Sequence, residues 1–173
     1  MTSTDIGTET QVYRVYIKAT PEAIWTAITD PEWTNRYGYT GYVHYDLRPG
    51  GALKVVPNDE FRAQAEAYGG ALPEVIIDGE VLEADPPKKL VTTWRMLMDA
   101  AMAAEPPSTI TYEITPLDGF CRLTLIHAFS GSPLTAAMTS GVHEDEGGGG
   151  GGGHAWILSD LKSLLETGSI MAG

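Results

Sequence analysis

Cysteine occurs once in the 173 residues, at Cys121, so no internal disulfide can brace the fold, and the count fits a reducing cytosol. Cations are also scarce: Lys and Arg total 11 against 23 Asp and Glu, a formal charge of −12. A chain of that sign repels phosphate backbones and anionic headgroups, which sets aside nucleic-acid and membrane-surface roles. No long hydrophobic run is present. The longest nearly apolar stretch, Met96 to Ala104, is interrupted by Asp99, whereas a membrane helix needs about 20 apolar residues. The opening Met1-Thr2-Ser3-Thr4-Asp5 lacks the basic and apolar regions of a signal peptide. A soluble, cytoplasmic protein is expected. At 43% hydrophobic and 20% charged residues, the chain can bury a core, which excludes global disorder. The length favours one domain, over residues 10–168, with a frayed leader at 1–9 and a tail at 169–173.

The pattern over Gln11–Lys18 alternates, with Tyr13, Val15 and Ile17 on one face, and predicts a strand. Thr20-Pro21-Glu22 then supplies a helix cap, a proline suited to the first turn and an acidic group for the dipole. Asp30-Pro31-Glu32 repeats the signal, so two short helices follow the first strand. Strands are expected at 42–47, 52–56, 75–83, 89–95, 108–115 and 120–129, with hairpin turns at Arg48-Pro49-Gly50-Gly51 and Leu117-Asp118-Gly119. A helical excursion or lid is expected within 57–73, and a short helix or loop at 96–104. Ile157, Leu158, Leu161, Leu164 and Leu165 recur at helical spacing up to Gly168, marking a C-terminal amphipathic helix over 154–167.

Three motif readings are set aside. His143-Glu144-Asp145-Glu146 with His154 offers metal-ligand residue types, but lacks the helical His-Glu-x-x-His register, so a solvated acidic loop is the simpler reading and no metal is expected. The run Gly147–Gly153 satisfies a phosphate-loop pattern only trivially, because no strand precedes it and acidic residues adjoin it. There is no Gly-x-Ser-x-Gly elbow, and Cys121 reads as a small core residue.

The segments Ile17-Lys18-Ala19-Thr20-Pro21-Glu22-Ala23-Ile24-Trp25, Leu47-Arg48-Pro49-Gly50-Gly51, Gly79 to Leu90 with Thr93-Trp94-Arg95, and Leu158 to Gly168 carry a family likeness. Together they resemble the START-like or SRPBCC superfamily, in the branch named after the activator of heat-shock-protein-90 ATPase homologue. The resemblance implies an α+β helix-grip fold, as in the birch-pollen allergen. A curved antiparallel sheet wraps a long C-terminal helix around a cavity, and two short helices follow strand one.

Within such a cavity the lining would come from Trp33, Tyr37, Tyr45, Trp94, Tyr112, Leu125, His127, His154, Leu158, Leu161 and Leu165. The resemblance implies a cytosolic binder of a hydrophobic or aromatic small molecule, without a cofactor. Two alternatives stay open: a cyclase- or dehydratase-like enzyme using His127 or Tyr112 for proton transfer, and a chaperone-activator-like protein-binding domain. Core packing of Tyr112 and Trp94, and a structural role for His127, stand beside these readings, as does a possible homodimer. The glycine run replaces the varied segment that the branch has before its last helix. At about 1 kcal/mol per helical glycine it should not be helical. It reads as a flexible gate to the cavity or, favoured by the comparison with the branch, as an engineered linker or glycines standing for side chains that could not be seen.

Overall fold

The computed structural model of the chain describes residues 8–141 and 152–171. The first strand, β1 (Thr8–Ile17), leads into helices α1 (Pro21–Thr29) and α2 (Pro31–Thr34). Thr20 caps α1 by accepting a hydrogen bond from Ala23 N at 3.1 Å. Asp30 closes α1 and, through its carboxylate, accepts from Glu32 N at 2.9 Å to open α2. Two proline-led helices separated by one capping aspartate therefore turn the chain sharply under the sheet.

The remaining strands are β2 (Tyr42–Tyr45), β3 (Ala52–Val56), β4 (Ile77–Asp85), β5 (Lys89–Met96), β6 (Ser108–Pro116) and β7 (Cys121–Ser130). They form one seven-stranded antiparallel sheet in the order β1-β7-β6-β5-β4-β3-β2. The chain enters at one edge, crosses to the other through α1 and α2, and returns strand by strand. Gly50, at φ +86°, makes the β2–β3 turn, and Gly51 has no room for a Cβ against the Asp46 carbonyl. Three further helices precede the last one: α3 (Asp59–Ala67), α4 (Ala100–Ala103) and α5 (Pro133–Thr139). The long helix α6 (Gly153–Thr167) ends at Gly168 in the left-handed conformation.

Leu90, Ile110, Ile114, Cys121, Leu123 and Leu125 from the sheet, Ile24, Ala27 and Ile28 from α1, and Leu158, Leu161 and Leu164 from α6 share one buried core. The main backbone approach of α6 to the sheet is at β1, with further approaches to α1 and α5.

Several boundaries differ from the sequence expectation. Residues 1–7 lie outside the described residues, but Thr8 and Glu9 are ladder residues opposite Ser130 and Phe129 rather than leader. The expected tail is anchored: Ile170 packs on the core and Met171 N donates to Asp160 Oδ1 at 2.9 Å. The excursion within 57–73 is the exposed α3, capped by Asn58, whose Oδ1 accepts from Phe61 N at 2.8 Å. Helix α5 carries no charged residue and shows little periodicity, and the sequence reading passed over it. Its start is instead held by Glu105, which accepts from Leu134 N and Thr135 N at 2.8 and 2.9 Å. The acidic His143–Glu146 segment and Gly147–Gly151 lie outside the described residues. Gly152 caps α6 and Gly153 is its first residue, so the expectation of no helical glycine fails at that one position.

Candidate functional site

Strand parity builds the inner face. On β7 it presents Leu123, Leu125, His127 and Phe129, and all four are buried. On β6 it presents Ser108, Ile110, Tyr112 and Ile114, because Ile110 pairs with His127 and Tyr112 with Leu125.

His127 is fully buried, and both of its ring nitrogens are engaged. Nε2 lies 2.6 Å from Ser108 Oγ, and Nδ1 lies 2.8 Å from His154 Nε2. The single hydroxyl hydrogen of Ser108 donates to the Trp94 carbonyl at 3.0 Å. Oγ must then accept from His127 Nε2–H, which leaves Nδ1 to accept from His154 Nε2–H. Burial, reinforced by the neighbouring His154, lowers the His127 pKa to about 2, and burial lowers that of His154 to about 4. Both imidazoles are neutral at physiological pH. Phe129 stacks on His127 at 4.0 Å between centroids, Trp94 meets it edge-on at 5.3 Å, and Tyr13 meets His154 edge-on at 5.5 Å. This cluster pins the first turn of α6 to β6 and β7.

Two residues further along the strands, about 7 Å away, lies a second group. Tyr112, Tyr45 and Tyr37 share a neighbourhood in which the Tyr112 phenol bears on the ionisation of the other two. Burial pushes the Tyr112 phenol up to about 12 and the other two well above their ordinary value. The Tyr37 hydroxyl donates to the Ala27 carbonyl at 2.9 Å, so it serves α1. Tyr45 and Tyr112, by contrast, are only half-buried.

The anticipated lining residues therefore separate. Leu125, Leu158 and Leu161 are sealed core, while Leu165, Trp33 and Trp94 are half-buried against it. Trp33 sits toward the rim, with the Arg36 guanidinium 4.5 Å from its ring centroid. His127 and His154 are joined directly, whereas Tyr112 lies two residues along β6 from Ile110, the partner of His127 across the ladder.

A family model described as activator of Hsp90 ATPase homolog 1-like protein matches residues 18–166. The chain belongs to that family. Among solved structures this family member resembles protein MLL2253 from Mesorhizobium loti, at 20% identity and a TM-score of 0.63, over 91% of this chain and 97% of that one. CalU16 from Micromonospora echinospora, in solution, matches at 20% identity and TM-score 0.62, over 96% and 70%. An HSP90 activator from Plasmodium falciparum matches at 19% identity and TM-score 0.51, over 94% and 91%. Against the crystal structure of CalU16 the chain spans 64% of that protein's length. At these identities the likeness establishes the helix-grip fold alone. No curated protein matches.

Ser108 escaped the sequence reading, although its parity with Ile110 and Tyr112 placed it on the inner face. Asp160 was missed as well. It is 2% exposed and accepts from Gly38 N at 2.8 Å and Met171 N at 2.9 Å. A lone acid on the apolar side of an amphipathic helix was the available signal. In a member of this family it ties the α2–β2 connection and the C-terminal segment to α6.

Proposed function

We propose that the chain is a small-molecule-binding module that encloses a hydrophobic or aromatic compound between the sheet and α6. One observation carries this reading. Burial raises the phenol pKa of both Tyr45 and Tyr112, yet both side chains keep accessible surface. Packed core residues are desolvated without exposure, and surface residues are exposed without desolvation. A wall facing an enclosed space has both properties.

Proton transfer by His127 is less well supported. A general base works best with a pKa near the operating pH, and His127 titrates at about 2 with both nitrogens committed. We assign the pair it forms with His154 to holding the helix. Tyr112, protonated to about 12, suits hydrogen-bond donation better than proton abstraction.

Two measurements test the reading together: native mass spectrometry of freshly purified protein, and titration with fluorene followed by tryptophan quenching. Saturable one-to-one binding, or a retained apolar mass, is expected. No binding at the solubility limit of fluorene, with no retained mass, would overturn it.

A further inference from the structure

The connection from β5 to β6 leaves the sheet after Leu97, whose N–H donates to the Ile76 carbonyl at 2.8 Å, and rejoins it at Ser108. Within 98–107, the hydrogen bonds to the rest of the described residues are all made by one side chain, Glu105. Its Oε2 accepts from Leu134 N at 2.8 Å, and its Oε1 accepts from Thr135 N at 2.9 Å and from Thr135 Oγ1 at 2.7 Å. Leu134 and Thr135 are the second and third residues of α5, the two whose N–H groups an N-cap side chain ordinarily takes. A distant carboxylate therefore does the work of a local cap.

The local residue suited to that task is present and idle. Ser132 stands at the N-cap of α5 without a cap bond, is 1% exposed, and its Oγ has no hydrogen-bond partner among the described residues. Serine is a favoured cap, and a buried hydroxyl left unpaired is destabilising. Its backbone explains the idleness. Thr20, Asp30, Asn58 and Asp99, which do cap their helices, have extended ψ values of 157°, 122°, 173° and 129°, whereas Ser132 stands at ψ 61°. The neighbouring Gly131, at φ +81°, lies against the same connection, since a Cβ there would meet Pro106 Cγ at 3.3 Å. The backbone that must turn for Ser132 to cap α5 is thus the backbone on which the connection leans.

We propose that Glu105 and Ser132 are alternative caps of α5, which makes residues 98–107 a strap with two states. In the latched state, seen here, Glu105 holds Leu134 N and Thr135 N. In the released state, Ser132 turns to accept from α5, and the strap comes free. The carboxylate makes the stronger bonds and favours the latch; release pairs the idle hydroxyl and returns conformational freedom to the strap. The strap ends at Ser108, which holds His127, and α5 borders α6, so release loosens the end of the sheet at which α6 begins. Such a strap is a property of the chain alone and does not depend on a ligand under α6.

Amide hydrogen exchange of the full chain, followed by nuclear magnetic resonance in a double-mutant cycle, tests the exchange of caps. Glu105→Ala should speed exchange at Ala103 and Ala104 in the strap by roughly tenfold or more, as a charge-assisted tie is lost. In the wild-type background, Ser132→Ala removes an idle hydroxyl, so exchange at Leu134 and Thr135 should stay the same or slow. In the Glu105→Ala background Ser132 has become the cap, and Ser132→Ala should speed exchange at one or both of these amides by about fivefold. Glu105→Gln turns one acceptor oxygen of the latch into a donor while keeping its shape. It replaces Glu105→Ala if that variant lacks a cooperative thermal transition, and the same dependence on background is expected. Equal effects of Ser132→Ala in the two backgrounds, faster exchange in the wild-type background, or unchanged exchange at Ala103 and Ala104 would overturn the strap.

Discussion

Replacing both members of the buried imidazole pair should change how stability depends on pH. An unfolded imidazole titrates near 6.5, whereas in the fold His154 is lowered to about 4 and His127 to about 2. Both folded values lie below the unfolded one. Their contribution to stability is therefore fully present above pH 6.5 and is lost as the pH falls, levelling off near 4 for His154 and near 2 for His127. At about pH 5 each unfolded imidazole lies about 1.5 units below its midpoint, which at about 1.36 kcal/mol per unit costs about 2 kcal/mol, or about 4 kcal/mol for the pair. The double variant His127→Leu/His154→Leu keeps similar volume and removes both partners of the hydrogen bond at once. Ser108 keeps its bond to the Trp94 carbonyl. Urea unfolding followed by circular dichroism, from about pH 7.5 down to about pH 5, should show the wild type losing about 4 kcal/mol relative to the double variant. Parallel pH curves, within about 1 kcal/mol, would refute the reasoning, since they would mean that the imidazoles ionise freely in the folded protein.

Three further substitutions probe the supports of the site. Asp160→Asn turns an acceptor toward one of two backbone N–H groups into a donor, and should cost about 2–4 kcal/mol in urea unfolding at neutral pH. Ser108→Ala leaves His127 Nε2–H without its acceptor and should cost about 1–3 kcal/mol; the same experiment reads it, and a neutral result would contradict a buried Ser108–His127 bond. Gly153→Ala meets both a φ of +60° and the Thr139 carbonyl, so it should lower the thermal midpoint by several degrees, for a cost above about 1 kcal/mol.

Much of the fold was legible because local signals agreed with one another. Proline-led, side-chain-capped starts at Thr20 and Asp30, period-two alternation on β1, β6 and β7, and period-3.6 leucines on α6 each fix an element without help from distant residues. The site was legible only as a face. Parity placed His127 and Tyr112 inward, but it cannot measure depth along a strand. The two rows were therefore read as one group, whereas His127 bonds to His154 and Tyr112 stands outside that pair. Helix α5 and the Asp160 anchor were hidden because long-range partners hold them. Glu105 lies 29 residues from Leu134 on the chain, and Gly38 lies 122 from Asp160.

The proposed binding module requires an enclosed space, facing Tyr45 and Tyr112, that receives an aromatic molecule. Isotope-filtered nuclear Overhauser spectroscopy of labelled protein with unlabelled fluorenone tests it most directly. Cross-peaks from the ligand to the rings of Tyr45, Tyr112 and Trp94 are expected. Cross-peaks confined to the exposed rings of Tyr16, Tyr68 and Phe120, or none at saturating ligand, would contradict it.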